Sequence, residues 1–217
     1  MVQARSGWTH RIVAHSSALE RVSVWPDRPY GQRYQLSDYG TVLFFAPGTG
    51  IFSVLPFIKH LSERVKDATA HTRRIKLVWH TDELYDELDP WMTELLKEDS
   101  DDLMILSISI HSTSSLGLRS QKRWTDERIP QLGRRLFLID DAPNIEEYIR
   151  IECQSPKRKL AVVVYASPPM RDSVRSGVVR TWVDNMRLFE LDYQPESNIY
   201  YRTGSMLRRS SVCCVIV

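Results

Sequence analysis

Only three of the 217 residues are cysteine, namely Cys153, Cys213 and Cys214. An odd count with two adjacent members near the C-terminal end supports no disulfide framework and fits a reducing compartment. Long apolar runs are also missing. The longest, Thr41 to Ala46 and Leu160 to Ala166, fall far short of the roughly 20 residues of a spanning helix, so no crossing of a membrane is expected. The basic residues of MVQARSGWTHR are followed by no apolar stretch, and the segment is not read as a secretory signal. Neither charge dominates: 29 Lys and Arg face 27 Asp and Glu, and a net charge of +2 gives no electrostatic reason to expect nucleic acid as a partner. No G-x-S-x-G elbow, Walker lysine or H-E-x-x-H is found, which removes the defining residues of a hydrolase, a nucleotide triphosphatase and a zinc protease. The six histidines, His10, His15, His60, His71, His80 and His111, show no metal-ligand spacing with one another or with Cys153. They are read as surface or supporting residues, and no metal is expected.

What is present suits a folded domain. Hydrophobic residues make up 42% and charged residues 26%, close to the average for globular chains, and the length allows one large domain with a real core. Residues 1 to 40 are rich in Arg, Ser, Tyr and Pro, with one short strand expected at Arg21 to Trp25, stopped by Pro26. From there strands and helices alternate. Strands are expected at Thr41 to Ala46, Arg74 to His80, Leu103 to His111, Arg135 to Ile139, Lys159 to Tyr165 and Leu188 to Tyr193. Helices are expected at Ile51 to Lys66, Pro90 to Leu96 with Asp89 as N-cap, Asn144 to Ile151, and Met170 to Asn185. A polar loop of about 20 residues, Ser112 to Arg135, interrupts the series, and loops of that length tend to be functional or mobile. Short apolar strands alternating with helices predict an α/β fold, a doubly wound parallel sheet covered on both faces. The expected organisation is an exit strand or remnant of another domain at 1–37, the α/β domain at 38–201 and a basic tail at 202–217.

Two segments carry potential chemistry. Gly48, Thr49, Gly50 and Ile51 stand between the first regular strand and the first helix, where glycines admit a close phosphate and a helix N-terminus offers free N–H groups. A full dinucleotide fingerprint needs a third glycine, and Val54 or Leu55 stands in its place. A tight turn without ligand accounts for the same residues. Tyr165, Ala166, Ser167, Pro168 and Pro169 close the strand KLAVVVY, at the end where open α/β sheets bind ligands. A proline-led helix start explains them equally well. The acidic stretch around Asp82, Glu83 and Asp86 is read as a solvated face, with Asp82 alone given a functional role.

GTGIFSVLPFIKHL, RRIKLVWH, LMILSISIH, VVVYASPPMRD and LFELDYQPE, in that order, resemble the nicotinamide-nucleotide domain of fungal ferric-chelate reductases, in the ferredoxin reductase and NADPH oxidase superfamily. The segment Val24 to Gly31 resembles the P-Y-G that closes the preceding flavin domain in that family. The resemblance implies a module that binds NADPH or NADH and passes hydride to FAD, with electrons continuing through membrane haems to a ferric chelate. It implies that Gly48, Thr49, Gly50 and Ile51 hold the pyrophosphate, that Ala166, Ser167, Pro168 and Pro169 border the nicotinamide, and that Tyr200 stands near the terminal aromatic shielding the flavin.

Three departures accompany it. Ala166-Ser167 replaces the family's Cys-Gly, Pro47-Gly48 replaces Gly-Gly, and Asp82 replaces a basic residue that would favour NADPH. An acid after the second strand suits the ribose hydroxyl of NADH. The resemblance favours NADPH; Arg119, Lys122 and Arg123 of the long loop are read first as keeping that loop soluble, with supply of the missing positive charge to a 2′-phosphate as the alternative. No R-x-Y-[ST] flavin strand and no haem-bearing helices are found, so FAD is expected from a missing domain or a partner chain. The expected partner is a flavin- and haem-bearing reductase at the cytoplasmic face of a membrane. The final Cys214-Val215-Ile216-Val217 fits the C-a-a-X lipidation pattern, with Cys213 beside it as a candidate for palmitoylation, but valine is not a favoured final residue and an unmodified tail is the preferred reading. The other class of reading is a degenerate dinucleotide-type fold that binds a partner and has no catalytic activity.

Overall fold

The computed structural model describes residues 34–81, 88–99, 104–113, 135–154 and 158–191. Six strands form one sheet: β1 (Thr41–Pro47), β2 (Arg74–His80), β3 (Leu106–His111), β4 (Leu136–Ile139), β5 (Leu160–Val164) and β6 (Met186–Glu190). Their order is β4-β3-β2-β1-β5-β6, and every neighbouring pair is parallel. The helices are α1 (Ile51–Lys66), α2 (Leu88–Glu98), α3 (Ile145–Cys153) and α4 (Pro168–Arg180). This is the doubly wound α/β fold that the alternation predicts.

Burial on both faces explains why the central strands read as unbroken apolar runs. All of Thr41 to Ala46 and all of Leu160 to Val164 are buried. On one face Leu43, Phe45, Val162 and Val164 pack against Ile149 of α3 and Val174 and Val178 of α4. Right-handed crossovers place α1 and α2 over the opposite face, where Phe44, Leu77 and Trp79 are fully buried. In α1 the buried residues Ile51, Val54, Leu55, Ile58, Leu61 and Val65 follow helical spacing. Each such side chain contributes about 1.5–3 kcal/mol by leaving water.

Several boundaries differ from the sequence expectation. Helix α2 begins at Leu88, so Asp89 lies inside its first turn instead of capping it. β3 starts at Leu106, not Leu103, because Met104 has a left-handed φ of 41° and the Asp99 carboxylate takes the N–H groups of Ile105 and Leu106 at 3.1 and 2.9 Å. Helix α4 starts at Pro168, since proline suits the first turn, and stops at Arg180, five residues before the expected end. β6 then runs Met186–Glu190, ahead of the expected Leu188 to Tyr193. The Asn144 cap of α3 is seen as a side chain that accepts from the Glu147 N–H at 3.1 Å. The strand expected at Arg21 to Trp25 and most of the long polar loop lie outside the described residues, as do Asp82, Tyr200, Cys213 and Cys214.

Candidate functional site at the carboxyl edge of the sheet

From β1 the chain continues on one side through β2, β3 and β4, and then returns to place β5 on the other side of β1. The order therefore reverses between β1 and β5, the position at which doubly wound sheets open a ligand crevice. Both sequence motifs emerge there.

Pro47 leaves β1 extended, Gly48 turns the chain with a φ of +47°, and Gly48–Gly50 form a short 3-10 turn that runs directly into α1. The N–H of Ile51 bonds back to the carbonyls of Gly48 and Thr49. The earlier N–H groups of such a start have no acceptor within the helix and point toward the edge, with the positive end of the helix dipole behind them. The indole Nε1 of buried Trp79 donates to the Gly48 carbonyl at 2.9 Å and fixes the turn from β2. The two glycines serve different purposes. A Cβ on Gly48 would meet nothing within 4 Å, so the space above it is open and only the left-handed backbone demands glycine. A Cβ on Gly50 would stand 3.0 Å from the Tyr165 carbonyl oxygen and 3.1 Å from its ring. The exit of β5 thus gives a packing reason for glycine at position 50, besides the phosphate approach that the sequence suggests.

On the β5 side the Tyr165 N–H bonds to the Phe45 carbonyl, which ties the two strands together up to their ends. Ala166 is buried; Ser167, Pro168 and Pro169 are exposed. Ser167 occupies the N-cap position of α4 but its side chain makes no capping bond, which leaves the hydroxyl available at the edge. Arg171 folds back so that its Nη2 donates to the Ala166 carbonyl at 3.1 Å and holds the loop from below. Two helix starts thus face one crevice from adjacent strands, with open space over Gly48. That arrangement fits an elongated ligand with an anionic middle and a flat, uncharged end.

The segment 39–179, more than half of the chain, matches the family model of the ferric reductase NAD binding domain. The chain belongs to that family. No curated protein sequence matches it. The match begins just before β1 and ends in the last turn of α4, so it includes both loops of the crevice. The molecule is accordingly an NAD(P)H-binding oxidoreductase module. Of its candidate residues, Gly48, Thr49, Gly50, Ile51, Ala166, Ser167, Pro168 and Pro169 meet at one edge of the sheet. Asp82 and Tyr200 lie outside the described residues, as do Arg119, Lys122 and Arg123. No helix among the described residues is long and apolar enough to cross a membrane.

Sequence reasoning passed over the residues that brace the crevice. These are Trp79 and Arg171, each acting through one bond to a loop carbonyl; Tyr165, already singled out at the end of its strand, acts through contact with Gly50. The only signal for Trp79 was a large aromatic near the end of a buried strand. A polar cluster on β2, β3 and α3 was missed altogether. His111 is buried, not a surface residue. Its Nδ1 lies 2.9 Å from the Asp141 carbonyl, so that nitrogen carries the proton, and its Nε2 accepts from the Tyr148 hydroxyl at 2.8 Å. Burial holds the His111 pKa below its ordinary value, against the opposing pull of the Asp141 carbonyl. Burial raises the Tyr148 pKa, partly offset by a bond from Ser109. Lys76 sits over the Tyr148 ring and 3.7 Å from buried Glu152; burial lowers its pKa, and the glutamate counters this. Lys76, Ser109, His111, Asp141 and Tyr148 border an open cavity of about 460 Å³ between β3, β4 and α3. Burial, and then the Glu152 carboxylate, push the Cys153 pKa up, which disfavours its thiolate.

Proposed function

We propose that the module presents the nicotinamide of NAD(P)H to a flavin held by another domain or a partner chain, for the reduction of a ferric chelate. The observation that carries this reading is the convergence of Gly48–Gly50 and Ser167–Pro169 on adjacent strands at the reversal of sheet order. The N–H groups at the start of α1 would hold the pyrophosphate, with Gly48 leaving room above the turn. Ala166, Ser167 and the two prolines would border the nicotinamide, and the small Ala166 keeps that wall low. The bound cofactor supplies a hydride from its reduced ring, which takes both electrons to FAD. In this reading the described residues of the two loops would bind and orient the cofactor, and hydride transfer asks no proton transfer of them at the reacting carbon. Residues 1–37 would belong to the exit of a flavin domain, residues 38–201 to the nucleotide domain, and Tyr200 would lie near the flavin. A location at the cytoplasmic face of a membrane completes the reading.

Ala166, in the place of the cysteine that the resemblance leads one to expect, favours a second reading in which the fold is kept for binding alone. Titration of the purified chain with NADPH and NADH separates the two. Saturable binding, no colour, and reductase activity only after a flavin-bearing domain is added support the first. Binding without any activity in the presence of that domain supports the second, and stoichiometric FAD in the isolated chain overturns the division of labour in both.

A further inference from the structure

Most arginines of the described residues are tied down. Arg150, Arg175 and Arg180 pair with carboxylates, and Arg74 and Arg135 meet buried Glu152 and Asp99. Arg64 and Arg171 donate to main-chain carbonyls. Arg73, Arg158 and Arg187 differ: all three are exposed, and among the described residues none of their guanidinium groups has an ion-pair or hydrogen-bond partner. They gather at one place, the amino end of the sheet around Tyr39 and Gly40, directly before β1. The Arg73 N–H bonds to the Gly40 carbonyl at 2.8 Å. The Arg158 side chain crosses Gly40 so closely that a Cβ there would stand 3.1 Å from its Cβ and 3.2 Å from its Cγ. Arg187 lies over the Phe189 ring at 5.7 Å, and that ring meets Tyr39 edge-on at 5.5 Å. Exposed Lys159, also without a partner among the described residues, completes the group. Because Thr41 pairs with Arg74 on one side and Leu160 on the other, Arg73 and Lys159 flank Gly40, each one strand spacing of about 4.8 Å away. The exposed carboxylates at this end, Asp38, Asp67 and Asp184, form no ion pair with any of the four.

We propose that this amino edge docks an acidic segment of a partner protein, whose carboxylates take the free guanidinium groups. Neighbouring cations repel one another, and a complementary charge relieves that repulsion. The planar guanidinium matches a carboxylate through two parallel bonds, and arginine and tryptophan are enriched at protein interfaces. Trp182 is 56% exposed in the turn whose Asn185 amide donates to the Arg158 carbonyl at 2.8 Å, which sets an apolar anchor beside the charges. A net charge of +2 for the whole chain argues against nucleic acid as the occupant. The edge is at the opposite end of the strands from the nucleotide crevice. A partner seated here leaves the crevice free for a flavin, whereas a membrane seated here would hold the crevice away from membrane-borne haems; this exclusion of lipid rests on the reading of the chain as a reductase module.

The test uses the full chain, a fluorescein-labelled hexaglutamate peptide and two triple variants. The edge variant combines Arg73→Gln, Arg158→Gln and Lys159→Gln, which removes three free cations and keeps the Arg158 stem that packs on Gly40. The control combines Arg150→Gln, Arg175→Gln and Arg180→Gln, which removes the same charge from paired positions. Fluorescence anisotropy is expected to show saturable binding of the peptide by the parent, weakening as salt is raised. The edge variant is expected to lose on the order of tenfold in affinity and the control less than about twofold. The ligand-free thermal midpoint of the edge variant is expected to stay level or rise. Vesicles of phosphatidylcholine and phosphatidylserine, and a single-stranded oligothymidylate, are titrated in parallel and are expected to bind more weakly than the peptide. A parent that does not bind the peptide, or equal losses in the two variants, overturns the inference. So does tighter binding of the vesicles or the oligothymidylate through the same residues, or a lower midpoint in the edge variant, which would make these arginines part of the fold. NADPH titrated separately reports on the module: peptide binding by a parent that binds no NADPH overturns the reductase reading and leaves the docking edge standing.

Discussion

Around the reversal point, β1 and β5 are held at their carboxyl ends by main-chain bonds: Tyr165 N–H to Phe45, Leu191 N–H to Val164, Ile51 N–H to Gly48. The β2–β3–β4 side carries main-chain bonds of the same kind, Thr81 N–H to His111 and Ser112 N–H to Ile139, and adds side-chain bonds to them, with Asp99 and Arg135 fixing β3 from below and Tyr148 and Asp141 fixing His111 at its end. The first arrangement leaves N–H groups and small residues facing outward, which is what a phosphate and a flat ring require. The second closes its polar groups on one another and makes a rigid flank. The ligand-facing edge thus presents backbone groups, braced by the Trp79 and Arg171 side chains, and the flank beside it adds long-range side-chain bonds to its main-chain ladder.

The largest expected break in this contrast is Asp99→Ala. The Arg135 guanidinium meets Asp99 at 2.6 Å with side chains only 6% and 1% exposed, and Arg135 also donates to the Leu96 carbonyl. Removing one member of a buried pair leaves the other charge uncompensated, so a loss of about 3–5 kcal/mol is expected in denaturant unfolding. Nucleotide affinity of the folded fraction should stay near that of the parent. A loss below about 1 kcal/mol would mean that this pair does not lock the flank.

Gly50→Val comes next. Its branched side chain would press on the Tyr165 carbonyl and ring, which costs about 1–3 kcal/mol and forces the two loops apart. Nucleotide affinity should fall at least several-fold. Gly48→Ala meets no atom and bears only the left-handed backbone, about 1–2 kcal/mol. Equal stability of the Gly50 variant and the parent would show that Tyr165 does not set the spacing of the crevice.

A smaller effect sharpens the other side. Tyr148→Phe strips the partner from His111 Nε2 and should lower stability by about 1–2 kcal/mol. Acid should act through the same ring. Because burial holds the folded pKa of His111 below 6.5, the unfolded chain takes up the proton first. Stability is then complete above pH 6.5 and declines as the pH falls toward the lowered folded value, with a slope of at most about 1.4 kcal/mol per pH unit. His111→Asn should flatten that part of the profile; an unchanged profile would place the titration elsewhere. The least effect is expected for Arg150→Ala on the solvent-facing side of α3, where its pair with Glu147 is open to solvent, and no resolvable change in the unfolding midpoint should follow.

The same contrast decides what could be read in the sequence. Strands β1, β2 and β5 were legible because burial on both faces writes an apolar run, and α1 because its buried positions recur with helical spacing. The turns at Gly48 and Pro168 were legible because glycine and proline act within a few residues of their own position. The purpose of Gly50 was not, since its neighbour Tyr165 lies more than a hundred residues away. The start of β3 was misplaced for a similar reason: apolar Leu103, Met104 and Ile105 read as strand, but Asp99 and Arg135 decide where pairing begins. Nothing in the local pattern around His111 distinguishes it from a surface histidine, because its partners come from Asp141 and from α3.

The central claim is that the dinucleotide lies across the β1–β5 reversal, and amide chemical shifts test it most directly. An isotope-labelled sample titrated with NADPH and NADH should show saturable shifts at the backbone amides of Gly48, Thr49, Gly50 and Ile51 and at those of Ala166 and Ser167, with little change along α2. Saturable binding whose shifts avoid both loops would contradict the account.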